Sequence, residues 1–146
     1  MINSIIRTIS ITLDAEFDEK EYSFHMEEMK QDLKEPCFFI ACLNPTHELF
    51  LGKRYFRQNQ FVIQYFPEST EELQSECNAV AERMTWCLEY ITVPGEDKPI
   101  MGTKMKYRII DGVLNFFVNY DCFVRRVEQN EAMETLESNT GVKEGD

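Results

Sequence analysis

The 146 residues carry 26 acidic and 15 basic side chains, a formal net charge of -11, with 43% hydrophobic and 12% aromatic content. That is long and apolar enough for a folded domain with its own core, and it excludes a disordered chain. The net negative charge repels phosphate backbones and no apolar run has the length of a membrane span, so neither specific nucleic acid nor membrane is an expected partner.

From the amino end, Ile2, Ile5, Ile6, Ile9 and Leu13 recur at helical spacing and predict a first amphipathic helix. Arg7 and several hydroxyl residues interrupt its apolar content, so it does not read as a signal peptide, and the chain is expected in the cytoplasm. Asp14 to Lys20 is an acidic turn. Tyr22, Phe24 and Met26 alternate with polar residues as a short half-buried strand, and Glu27 to Lys34 reads as one or two helical turns or a loop. Pro36 to Leu43 is nearly all apolar and bounded by Pro36 and Pro45, which suits a central strand buried on both faces. Glu48 to Arg57 reads as a second long strand with Gly52 as a bulge or bend. Gln58-Asn59-Gln60 then turns the chain into a third strand, Phe61 to Phe66.

The strongest periodic stretch is Ser69 to Ile91, where Leu73, Cys77, Val80, Ala81, Met84, Leu88 and Ile91 form one stripe. Ser69 is placed as N-cap with Glu72 completing a capping box, and Pro94-Gly95 ends the helix before a polar loop to Pro99. Asp111-Gly112 is a preferred type I′ hairpin turn. It pairs Ile109 with Leu114, Tyr107 with Phe116 and Met105 with Val118 on one face, and the second strand is expected to continue through Tyr120, Cys122 and Val124. Past Arg126, Glu128, Glu131, Glu134 and Glu137 recur every third residue in an acidic tail. The expected fold is therefore α+β: a small, largely antiparallel sheet flanked by the N-terminal helix and a long central helix. Residues 1–127 form one domain and 128–146 a partly flexible tail, while a second sheet face rich in aromatics awaits the first helix or another subunit.

Catalytic and metal chemistry find little support in these residues. Cys37, Cys42 and His47 imitate a zinc knuckle, but on one strand the two thiols are an odd number apart and point to opposite faces. The five cysteines read as buried free thiols. His25 and His47 lie in no nucleophile motif, and Glu71, Glu72 and Glu76 suit an acidic helix start. No phosphate-cradling glycine pattern occurs. The chain is thus expected to be neither an enzyme nor a holder of metal or cofactor. Lys53, Arg54, Arg57, Arg125 and Arg126 stand out as small basic spots suited to a neighbour's carboxylates.

Three blocks carry a resemblance: Glu35-Pro36-Cys37-Phe38-Phe39-Ile40, then Leu49-Phe50-Leu51-Gly52-Lys53-Arg54-Tyr55-Phe56, then Phe61-Val62-Ile63-Gln64-Tyr65-Phe66-Pro67. With the helix at 69–91 and the strands at 104–124, the chain resembles phage tail terminators, also called tail completion or minor tail proteins, of phages and prophages of Gram-positive bacteria. The resemblance covers roughly residues 1 to 126. It implies a hexameric ring that ends tail-tube polymerisation, with the tail tube protein and the head-tail connector as partners and the virion tail or neck as its place. No catalytic residues come with it. On this reading Lys53, Arg54, Arg57, Arg125 and Arg126 serve the subunit interface, complementing the acidic helix or tail. The alternatives are another neck or tail-assembly component, such as a head-closure protein or tail chaperone, or a small metal-binding or hydrolase domain using Cys37, Cys42 or the histidines.

Overall fold

A computed structural model describes residues 1–18, 22–25, 35–68 and 71–127. Its elements, in chain order, are α1 (Ile2–Glu16), β1 (Ser23–His25), β2 (Cys37–Leu51), β3 (Arg54–Phe66), α2 (Leu73–Cys87), β4 (Tyr90–Ile91), β5 (Ile100–Met101), β6 (Thr103–Ile110), β7 (Val113–Asn119) and β8 (Cys122–Arg125). The chain forms two compact units: Met1–Pro45 with Asn59–Asp121, and Thr46–Gln58 with the segment from Cys122 onward. The strands β2 and β3 contribute to both. The segments expected at Glu27 to Lys34 and in the acidic tail lie outside the described residues.

The first unit holds the core. The sheet order is β1-β2-β3-β7-β6, with β8 pairing separately on β3. Pairing of β3 with β7 and β8, and of β6 with β7, is antiparallel, but β1 runs parallel to β2. The sheet is thus mixed, where a largely antiparallel one is expected. Alternate residues face the core: Phe61, Ile63 and Tyr65 on β3 stand opposite Val118, Phe116 and Leu114 on β7. All six are buried, together with Phe38 and Ile40 of β2. Phe38 is the aromatic hub, its ring 4.9 Å from Tyr65 and 5.4 Å from both Phe17 and Phe24.

Both helices pack on this one face. α1 buries Ile5, Ile6, Ile9 and Leu13, the predicted stripe, against the same cluster as Cys77, Val80, Ala81 and Met84 of α2. The hydroxyls of Thr8 and Thr12 donate to carbonyls one turn back, so these residues sit in the helix with their polar atoms satisfied. Arg83 ties the helices together, with Nε 3.1 Å from Glu16 Oε2 and its guanidinium 4.3 Å above the Phe17 ring. The first helix therefore does not cover the opposite sheet face. There Gln64 donates to Asn115 at 2.8 Å, and Lys106 lies over Phe117.

Helix α2 is shorter at both ends than its periodicity predicts. It begins at Leu73 with Glu72 as N-cap and no side-chain cap bond, and the expected N-cap, Ser69, lies outside the described residues. Glu76 instead accepts from the Tyr65 hydroxyl at 2.6 Å and from the Glu68 amide at 3.2 Å. At the far end the buried Tyr120 hydroxyl donates to the Leu88 carbonyl at 2.6 Å, and Tyr90–Ile91 leaves the helix to pair with Ile100–Met101. Leu88 and Ile91 are buried as the stripe requires, but only the first turns of that stripe are helical.

Two strand boundaries also move. The turn lies at Gly52, whose φ of +60° favours glycine, and not at Gln58-Asn59-Gln60. β2 runs on through Pro45 to Leu51, and β1 pairs with its first residues, Cys37, Phe38 and Phe39. Asn59 is 1% exposed inside β3. Its side-chain amide donates to the Tyr120 carbonyl, and its backbone N–H donates to the Asp121 carboxylate at 3.0 Å. These bonds end β7 at Asn119, so the chain restarts as a distinct β8. In the β6–β7 hairpin, Asp111 and Gly112 have positive φ and the pairs Ile109–Leu114 and Tyr107–Phe116 form as expected. The register slips between Thr103 and Lys106, where Lys104 has φ +52°, so the Met105–Val118 pair does not form.

Candidate interaction surface

The second unit is built from the far halves of β2 and β3 and from β8. Arg54, Tyr55, Phe56 and Arg57 pair with Arg125, Val124, Phe123 and Cys122. The Arg126 amide adds a bond to the Lys53 carbonyl at 2.8 Å. Not one described residue of this unit is buried. A hairpin without a core is marginal on its own, because its ladder bonds gain little over bonds to water.

Its surface is nonetheless apolar. Leu49, Phe50 and Leu51 lead into the turn, with Phe50 58% exposed, and Phe123 on β8 is 48% exposed. The Phe123 ring lies 5.0 Å from Phe50 and 4.9 Å from Phe56. The Arg54 guanidinium stands over this group, 5.1 Å from the Phe123 centroid and 5.9 Å from Phe50. Such contacts contribute about 0.5–1 kcal/mol at exposed sites. Nearer the base, His47 stacks on Tyr55 at 4.7 Å, and Arg57 Nε donates to His47 Nδ1 at 3.0 Å, which needs that nitrogen unprotonated. Thr46 Oγ1 accepts from the Gln58 amide.

Charge is distributed unevenly. Residues 46–58 and 122–127 hold five basic side chains and one acidic, Glu48, whereas residues 1–45 and 59–121 hold 19 acidic and 9 basic. The described residues of this unit are therefore basic and aromatic within an acidic chain. Large apolar side chains left exposed beside charges of one sign mark a protein–protein contact surface more often than a substrate pocket.

The family model described as "Phage tail terminator protein" matches residues 4–132, which take in every element above but the first two residues of α1. The chain belongs to the phage tail terminator family. No curated protein matches it significantly. Membership makes this a structural protein of phage tail assembly, and no described helix is long and apolar enough to cross a membrane.

For a tail terminator the five basic residues singled out in the sequence acquire a common location. Lys53, Arg54, Arg57, Arg125 and Arg126, 68 or more positions apart between their two groups along the chain, all lie on the second unit. Cys37 is buried outside the core cluster, Cys42 packs against that cluster from the same strand, and His47 stacks on Tyr55, so the knuckle spacing gathers no ligand set. Among the described residues no group of three or more His, Cys, Asp or Glu is placed to hold a metal ion. All five cysteines are free thiols, and burial raises those of Cys37 and Cys77 above the usual range. Sequence reading missed the aromatic half of the surface. Its signal was the run Leu49-Phe50-Leu51 directly before a glycine, since three consecutive apolar residues at a turn have no core to enter.

Proposed function

We propose that this chain acts as a tail terminator in the full sense: a homo-oligomeric ring, six-membered, that seats on the end of a finished tail tube. There it stops further polymerisation and presents the surface to which the head connector joins. It works in the cytoplasm of the bacterial host during assembly and ends in the neck of the virion. The observation that carries this reading is the hairpin unit, which exposes apolar side chains that none of its described residues buries. A protein built to bind other proteins keeps such a surface in spite of the aggregation risk. Family membership supplies the tail as the setting. Rings arise when one patch fits a different patch on the next copy and the rotation closes.

The test is direct. Purified chain is mixed with the tail tube protein during tube polymerisation, and tube lengths and ends are read by negative-stain electron microscopy. Shorter tubes carrying a ring of extra density at one end are expected. Tubes of unchanged length with bare ends overturn the terminator mechanism and leave a less direct assembly role.

A further inference from the structure

The first unit carries a surface that mirrors the hairpin in chemistry. At the carboxyl end of α2, Trp86 is 68% exposed, more than any other aromatic residue described. It lies outside the buried stripe of the helix, and Glu82, one turn earlier on the same helix face, is exposed with it. The chain leaves the helix through Glu89 into β4, where Tyr90 stands opposite Met101 of β5, and both are about half exposed. The connection from β4 to β5 adds Glu96 and Asp97 beside Lys98, all exposed. These exposed positions are thus apolar and on balance acidic, where the described residues of the hairpin unit are apolar and basic.

Resting on the ring reading above, we infer that the hairpin unit of one copy docks on the carboxyl end of α2 in a second copy. Phe50 and Phe123 pack against Trp86 and Tyr90, while Arg54 and Arg126 face Glu82 and Glu89. Three observations favour a second copy over another partner. Both halves of the contact lie on one chain, their charges are opposite, and each exposes aromatic side chains of the type that dominates binding energy once desolvated. Because the two patches differ, the contact is head-to-tail and propagates from copy to copy.

Full-length variants test this. One carries Arg54→Glu and Arg126→Glu, the other Glu82→Arg and Glu89→Arg, and circular dichroism with thermal melting checks that each folds. Should either fail to fold, Phe50→Ser and Trp86→Ala replace them. By light scattering on a sizing column, each variant alone is expected to need at least about tenfold higher concentration than the unaltered chain for half assembly. An equimolar mixture of the two charge-reversed variants is expected to reassemble with the chains alternating, since each hairpin then meets a patch of opposite charge, whereas the Phe50→Ser and Trp86→Ala pair, which keeps one intact junction, is expected to stop at a two-chain complex. The chain with all four substitutions is expected to reassemble. If either variant alone assembles like the unaltered chain, or if the mixture stays monomeric, the surface pairing is overturned while the ring stands. If the unaltered chain is itself monomeric at every concentration, both fall.

Discussion

Tyr120 shows how much one buried polar group decides in this fold. Its ring fills core space 5.9 Å from Phe61, its hydroxyl terminates α2 by donating to Leu88, and its amide donates to the Asn59 carbonyl. Burial pushes its hydroxyl above the usual tyrosine range, with the Cys87 thiol beside it adding to the effect. Burial first and the Glu16 carboxylate second push that thiol up to about 12, against the pull of Arg83. For an acid whose folded pKa is raised, the stabilising contribution is complete below the unfolded value and is lost as pH rises beyond it. Stability is therefore expected to hold to near pH 9, where an unfolded thiol titrates, and to fall more steeply above pH 10, where an unfolded tyrosine does, with tyrosinate absorbance appearing together with unfolding. Tyr120→Phe removes one donor to a helix-ending carbonyl and is expected to cost about 1–3 kcal/mol at neutral pH while flattening that alkaline loss. Urea titrations at pH 8 and pH 10.5 measure both. An unchanged midpoint at pH 8 would mean that the hydroxyl contributes nothing.

At the level of elements, patterns set by local chemistry were legible and endings set by tertiary contacts were not. The α1 stripe and the Asp111-Gly112 turn follow from residues within a few positions, so periodicity and turn chemistry suffice. The end of α2 depends on Tyr120, 32 positions from Leu88, and the continuity of β3 depends on Asp121 capping the Asn59 amide from 62 positions away. No local window contains these partners. Prolines and polar triplets mislead for the same reason: β2 continues through Pro45, and Asn59 finds its bonds inside the sheet. The basic half of the interaction surface was legible as residue type, but its aromatic half was not, because exposure of Phe50 and Phe123 is a property of the finished sheet. Gly102 belongs at this scale too. Its amide donates to the Glu89 carbonyl at 2.7 Å, and an added Cβ would lie 2.7 Å from the Leu88 carbonyl oxygen and 2.9 Å from a Val118 methyl carbon. Close approach of β5 and β6 to the end of α2 thus needs glycine. Gly102→Ala is expected to destabilise by about 1–3 kcal/mol, read as a lower thermal midpoint. A midpoint equal to that of the unaltered chain would show that the junction yields freely.

Across the whole molecule, the chain divides its labour between an acidic unit that holds the core and a second unit whose described residues are basic and unburied. The core explains why the chain folds, and the hairpin is the part that folding alone does not explain. Tail assembly supplies the setting in which such a surface has a use. The central claim is that copies of the chain join to one another through it, and the mass of the protein in solution tests that most directly. Light scattering on a sizing column at several concentrations is expected to show a species of six 17.2 kDa chains, or a monomer moving toward it as concentration rises. It is also expected to dissociate as salt screens the charge contact. A single-chain mass at every concentration and every salt level would contradict the account.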